Sequence, residues 1–348
     1  MAGELACPVP LPAGGRILLA HGGGGRLTRE LVEGLFVPAF RNEALAALHD
    51  SAVLDVPAGR LAFTTDSFVV RPMFFPGGDV GSLAVNGTVN DLAMSGARPL
   101  YLSLGFILEE GLAVEDLARV VDSIRTAARD AAVVVATGDT KVVERGKGDG
   151  VYITSSGVGV VVARESVTPA RVRPGDAVIV SGPVGQHGVA VMAVRDGLKF
   201  SSPIVSDCAS VAAPALALIE AGLDVHCLRD PTRGGVATVL NEIATQAGCE
   251  IAVHESAVPV NEDVAGACEV LGLDPLYVAC EGRFLAFVPA PEADAALALL
   301  HGRADTARAA RIGTVREGAT PGLVTLKTVA GGERVLDLLS GEQLPRIC

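Results

Sequence analysis

Apolar residues recur along this chain in two rhythms. Leu27, Leu31 and Leu35 are spaced by four, and Val114, Leu117, Val121 and Ile124 by three or four, which predicts two amphipathic helices. Shorter apolar runs at 17–20, 52–54, 61–64, 100–108, 133–136, 151–162, 177–180 and 284–288 predict strands, with a turn at 57–59. Val236, Val239, Leu240 and Ile243 form another helix face, closed by Gly248 at a C-cap position. Pro291 opens an alanine-rich helix. Residues 80–95 have the length of a helix but carry Asn86, Gly87, Asn90 and Asp91, all poor helix formers. Asn86 and Asn90 are four apart and share a face, which predicts a buried polar stripe turned toward a ligand.

Pro, Arg and Thr interrupt the apolar pattern at 165–174 and predict a boundary there. The expected organisation is a loose Pro- and Gly-rich extension at 1–15, a first domain at 16–165, a second α/β domain at 166–330 and a terminal segment at 331–348. The mixed order of strands and helices predicts two α/β layers rather than one regular strand–helix repeat.

Charge and composition narrow the function. The 348 residues carry a net charge of −12, which argues against a nucleic-acid partner, since phosphate backbones call for basic patches. No apolar run approaches the ~18 residues of a membrane span, and residues 1–16 lack the apolar stretch of an export leader. The seven cysteines form no CxxC pair and the histidines no HxxxH pattern. A reducing cytoplasm, no membrane and no zinc site are the expectations.

Five aspartates sit in small-residue contexts: Asp50, Asp66 in Thr64-Thr65-Asp66-Ser67, Asp91 in Asn90-Asp91-Leu92-Ala93-Met94-Ser95-Gly96-Ala97, Asp139 in Gly138-Asp139-Thr140-Lys141, and Asp230 in Arg229-Asp230-Pro231-Thr232-Arg233-Gly234-Gly235. One such residue is ordinarily a cap or turn. Five in related settings point to hard oxygen ligands for Mg²⁺ bridging phosphates. Two carboxylates ~4 Å apart repel by ~4 kcal/mol at an effective dielectric of 20, so such a cluster needs a cation, a proton or separation. The glycines at 22–25 and at 234–235 each open a predicted helix, whose free N–H groups suit anions. Neither matches a P-loop. Cys348 stands at the end of the chain in Pro345-Arg346-Ile347-Cys348. A thiol on a flexible arm suits a carrier, and the residues from Gly332 onward extend up to ~56 Å at ~3.3 Å each.

These motifs, with Leu19-Ala20-His21-Gly22, Thr140-Lys141-Val142-Val143 and the terminal Pro-Arg-Ile-Cys, resemble the HypE family of hydrogenase maturation factors over 17–348. The wider set marks the superfamily of aminoimidazole ribonucleotide synthetase, selenophosphate synthetase and thiamine-monophosphate kinase. The resemblance implies a two-domain aminoimidazole-ribonucleotide-synthetase-like α/β (α+β) fold with mixed sheets, helices on one face and a flexible C-terminal tail. It implies a homodimer through the N-terminal domains. It also implies ATP and Mg²⁺ held by Asp50, Asp66, Asn90, Asp91, Gly138, Asp139, Thr140, Lys141, Asp230 and Thr232, with the metal on Asp50, Asp66, Asp91, Asp139 and Asp230. Cys348 would receive a carbamoyl group from the carbamoyltransferase HypF. ATP-dependent dehydration of that S-carboxamide would give a thiocyanate, whose cyanide passes to iron on a HypC–HypD scaffold. Lys141 would offset charge on the transferring phosphoryl, and Glu281 would accept a proton from the carboxamide nitrogen. Gln186 departs from the pattern, which implies an acidic residue there. Another ATP-dependent kinase or synthetase of the superfamily, or a non-enzymatic interaction module, are the alternatives.

Overall fold

The computed structural model describes residues 15–23, 25–46, 52, 54–198, 204–318 and 320–338. Most of the expected N-terminal extension, Asp50, and the chain from 339 to Cys348 lie outside the described residues. The leucine rhythm near the N-terminus forms α1 (Arg26–Leu31), which passes through a π-turn at Val32–Phe36 into α2 (Val37–Ala39), followed by α3 (Glu43–Ala46). The strand predicted at 17–20 is instead a 3-10 turn, Leu19–Gly22, because the His21 ring captures a backbone donor: Leu18 N–H donates to Nδ1 at 2.9 Å.

A four-stranded sheet follows. Its strands are β1 (Leu61–Phe68), β4 (Ala97–Glu109), β5 (Val134–Val143) and β6 (Val151–Val161), with a two-residue hairpin of β2 (Phe74–Phe75) and β3 (Gly78–Asp79) to one side. The order is β1-β6-β4-β5; β6 is antiparallel to both β1 and β4, and β4 is parallel to β5. Helices α4 (Val80–Met94) and α5 (Val114–Asp130) cover one face, burying Leu102, Leu104 and Phe106 of β4 against Leu117, Val121 and Ile124 of α5. Alternation in β1 turns Leu61 and Phe63 to the other face, where Phe63 is 71% exposed. That face carries no covering layer among the described residues.

The second sheet has seven strands: β7 (Asp176–Val180), β8 (Cys227–Arg229), β9 (Glu250–His254), β10 (Leu285–Pro289), β11 (Ala310–Arg316), β12 (Val324–Lys327) and β13 (Glu333–Val335), in the order β13-β12-β9-β11-β7-β10-β8. Every residue of β7 is buried. Ala177 and Ile179 pack with α7 (Ala212–Glu220) and α10 (Ala293–His301), whereas Val178 and Val180 pack with α8 (Gly235–Ala247). Helices α6 (Gln186–Arg195) and α9 (Glu262–Leu271) form a small cluster of their own. Helical cover on one face thus describes the first sheet, and the second is covered on both. The segment from 331 begins as a strand, since β13 pairs with β12.

The odd composition of α4 has a packing cause. Thirteen of its 15 residues are buried, because the helix lies between the first sheet and the second unit. Close quarters exclude large side chains: a Cβ on Gly87 would lie 2.9 Å from the Phe68 ring. Asp79 caps the helix by accepting from Gly81 N–H at 2.8 Å and Ser82 N–H at 3.0 Å.

Candidate active site

A cavity of about 720 Å³ opens where β1, α4 and the loop after β8 meet. Alternation along β1 aims Thr64 and Asp66 to the same side, and Thr64 Oγ1 donates to Asp91 Oδ2 at 2.8 Å. Asp230 and Thr232 line the cavity from the loop after β8. Cys280 N–H donates to the Pro231 carbonyl at 2.9 Å, so Glu281 is held beside that loop. Asp66, Asp91, Asp230, Thr232 and Glu281, remote in sequence, therefore share one wall system.

The electrostatics are those of carboxylates forced together. Burial raises the pKa of Asp91, and the Asp66 charge adds to this against the Thr64 hydrogen bond. Asp230 is pushed up to about 7, first by burial and then by Asp91. Glu281 is 3% exposed and held well above its ordinary value by burial, then by Asp230, Asp207 and Asp66. Its Oε1 has no hydrogen-bond partner among the described residues. Further positive charge would relieve the repulsion among these carboxylates. No three His, Cys, Asp or Glu side chains among the described residues close on a common point. The oxygens of Asp66, Asp91 and Asp230 are nonetheless the hard donor type that Mg²⁺ takes together with phosphate oxygens.

Other expected site residues are placed elsewhere. Asn90 does not line the cavity. Its Nδ2 donates to Ala209 O at 3.1 Å and Glu281 O at 3.4 Å, and its Oδ1 accepts from Val211 N–H at 2.7 Å. All its hydrogen-bonding capacity thus goes to clamping α4 to the second unit. Gly138, Asp139, Thr140 and Lys141 lie inside β5, not at a strand end, on the edge opposite β1. Pairing sets Asp66 level with Ser155, Leu104 and Gly138, so three interstrand gaps, roughly 14 Å in all, separate the two groups across the sheet. Lys141 Nζ pairs with Asp139 at 2.9 Å, and this hydrogen bond lowers the Asp139 pKa. Gly138 answers to backbone packing, since a Cβ there would sit 2.6 Å from Leu104 O. Gln186, the departure in the pattern, accepts from Arg283 Nη2 at 3.3 Å and donates to Val205 O at 3.3 Å.

Two cavity residues escaped the sequence reading. Arg229 and Arg233 are the basic side chains of the lining; both flank Asp230 in a motif already singled out, and that flanking was the available signal.

The AIR synthase related protein models match this chain, the N-terminal domain over 48–161 and the C-terminal domain over 173–325. Carbamoyl dehydratase HypE of Azotobacter vinelandii is 51% identical over 334 residues, 96% of this chain and 98% of the relative. The chain belongs to the HypE family. A crystal structure of a HypE in complex with ATP superposes with a TM-score of 0.92 at 49% identity, covering 95% of this chain and 99% of that one. The HypE-family subunit of a HypE–HypF complex superposes with a TM-score of 0.78 at 44% identity, covering 89% and 99%. The two-unit α/β architecture is thus that of HypE proteins and of AIR synthase related proteins.

Proposed function

We propose that this chain uses ATP to dehydrate an S-carboxamide on Cys348 to a thiocyanate, supplying the cyanide ligand of [NiFe]-hydrogenase iron. The reading is carried by half-identity to a carbamoyl dehydratase HypE over nearly the whole of both chains. The ATP complex of a 49% identical HypE supports the nucleotide, and the carboxylate cavity supplies a setting for it.

Asp66, Asp91 and Asp230 would hold Mg²⁺, with Asp50 and Asp139 as further candidates. Bound there, Mg²⁺ would neutralise phosphate charge and orient the terminal phosphoryl group. The chemistry needs the carbamoyl oxygen to leave with that phosphoryl group while both hydrogens leave the nitrogen, so that S–C(O)NH₂ becomes S–C≡N with ADP and phosphate. Glu281, once ionised, offers a buried, unpartnered oxygen to accept one proton from nitrogen, and the departing phosphate takes the other. Thr64 fixes Asp91 by its 2.8 Å hydrogen bond. Burial at the Glu281 wall keeps bulk water from that oxygen.

A homodimer through the uncovered face of the first sheet completes the reading. Apposing two such faces about a twofold axis parallel to the strands would bring the Asp139–Lys141 edge of one chain toward the partner's β1. Lys141 then serves the neighbouring cavity rather than its own. HypF as the carbamoyl donor is supported by the HypE–HypF complex of a 44% identical protein; the HypC–HypD scaffold as acceptor and a cytoplasmic site belong to the same reading. No helix of the described residues is long and apolar enough to cross a membrane.

Intact mass after incubation with HypF, carbamoyl phosphate and ATP tests the proposal. The wild-type chain should gain one carboxamide and then lose one water, and Cys348→Ala should do neither while still binding ATP. A Cys348→Ala chain that still passed through both products would refute the carrier assignment.

A further inference from the structure

Four carboxylates line the cavity: Asp66, Asp91, Asp230 and Glu281. A polyphosphate entering beside them needs positive charge as well as a metal. Lys141 stands at the opposite sheet edge, and among the described residues lining the cavity that charge comes from Arg229 and Arg233. The two differ in freedom. Arg229 is already engaged, its Nη2 donating to Glu242 Oε2 at 2.8 Å. Among the described residues Arg233 makes no such side-chain hydrogen bond. Its nearest carboxylate oxygen, Asp66 Oδ1, is 4.0 Å away, and its side chain is 74% exposed.

The backbone beneath Arg233 is fixed. Thr232 N–H donates to Asp230 O and Gly235 N–H to Thr232 O, both at 3.0 Å. Gly234 and Gly235 take φ of 75° and 61°, which a side chain would resist. A rigid turn thus carries one long, largely exposed guanidinium at the cavity, paired only loosely with Asp66. Its charge acts on both Asp91 and Glu281. In the proposed reaction Asp91 would help to hold the metal and Glu281 would accept a proton from the carboxamide nitrogen.

We propose that Arg233 is a specificity residue that closes on the terminal phosphate of the bound nucleotide and distinguishes ATP from ADP. The planar guanidinium suits two oxygens of one phosphate, and such charge-assisted pairs are about twice as strong as neutral ones. Arg229, tied to Glu242, keeps its place in the wall. This assignment rests on ATP being the nucleotide of the cavity.

Titration calorimetry of the full-length protein with Mg-ATP and Mg-ADP tests it. Arg233→Gln should weaken ATP binding by about tenfold or more and ADP binding by less than about twofold, with unchanged circular dichroism. Arg233→Lys should recover part of the ATP affinity, because it restores the charge without the planar fork. Equal losses for ATP and ADP, or no loss for either, would overturn the role given to Arg233. A wild-type chain that bound neither nucleotide would overturn the ATP reading itself, which separates the two failures.

Discussion

Asp230 should be worth more to the protein as a ligand than as part of the fold, and Asp230→Asn tests this. Its carboxyl is held at about 7 rather than 3.8 by burial and by Asp91. A raised carboxylate pKa means that the folded state binds the proton more tightly than the unfolded chain. The cost of ionising it in the fold is absent below about pH 4, grows as pH rises, and is complete above about pH 7. At about 1.4 kcal/mol per tenfold, that displacement corresponds to roughly 4 kcal/mol, and water entering the open cavity brings the expected gain to roughly 2–4 kcal/mol. Asn keeps the shape without the charge. In metal-free buffer at pH 8, Asp230→Asn should therefore raise the melting temperature by about 5 °C or more, and the gain should vanish near pH 4. Excess Mg-ATP should reverse the order, because the wild type alone gains the ligand's binding energy. A variant that melts at or below the wild type at pH 8 without metal would refute the reasoning, as would a gain that persists undiminished at pH 4.

Three further outcomes concern the remaining placements. Phe63→Glu, on the uncovered sheet face, should yield monomers by light scattering; and if Lys141 acts on the neighbouring cavity, mixing inactive Lys141→Ala and Asp91→Asn chains should restore about a quarter of wild-type turnover, since half the dimers are mixed and half their sites are whole. Continued dimerisation, or no recovery on mixing after subunit exchange, would count against those assignments. Asn90→Ala should lower stability by roughly 2–3 kcal/mol in urea, because it strands backbone groups at the junction of the two units, while ATP affinity in the folded protein changes less than about threefold; a large affinity loss with unchanged stability would return Asn90 to the ligand.

Much of the fold was legible because its causes are local. The three- and four-residue spacing of Val114, Leu117, Val121 and Ile124 appears as α5, and Gly248 caps α8 with φ of 64°. The carboxylates of the cavity were legible as a set, since Asp66, Asp91 and Asp230 stand in small-residue contexts and the structure gathers them. What the sequence could not disclose was tertiary. The Gly138-Asp139-Thr140-Lys141 motif looked like a strand end because polar residues usually stop strands, but an edge strand tolerates exposed alternate positions. Asn90 looked like a ligand residue because Asn is rare inside helices; its partners, Ala209 and Val211, are over a hundred residues away. Nothing in the sequence separates Arg233 from Arg229; the structure does, since Glu242 holds Arg229 at 2.8 Å whereas Arg233 has, among the described residues, only Asp66 at 4.0 Å.

Consecutive residues of α4, Asn90 and Asp91, perform opposite duties. One is bolted to the backbone of the second unit and the other faces the cavity. Any hinge motion that widened the cleft between the units would have to break the Asn90 bonds, while Asp91 and Thr64, both in the first unit, would keep theirs. The receptacle therefore behaves as a fixed die rather than a pair of jaws. On the proposed reading, timing would fall to parts added to the die from outside: the arginine at its mouth, a second subunit and the thiol of Cys348.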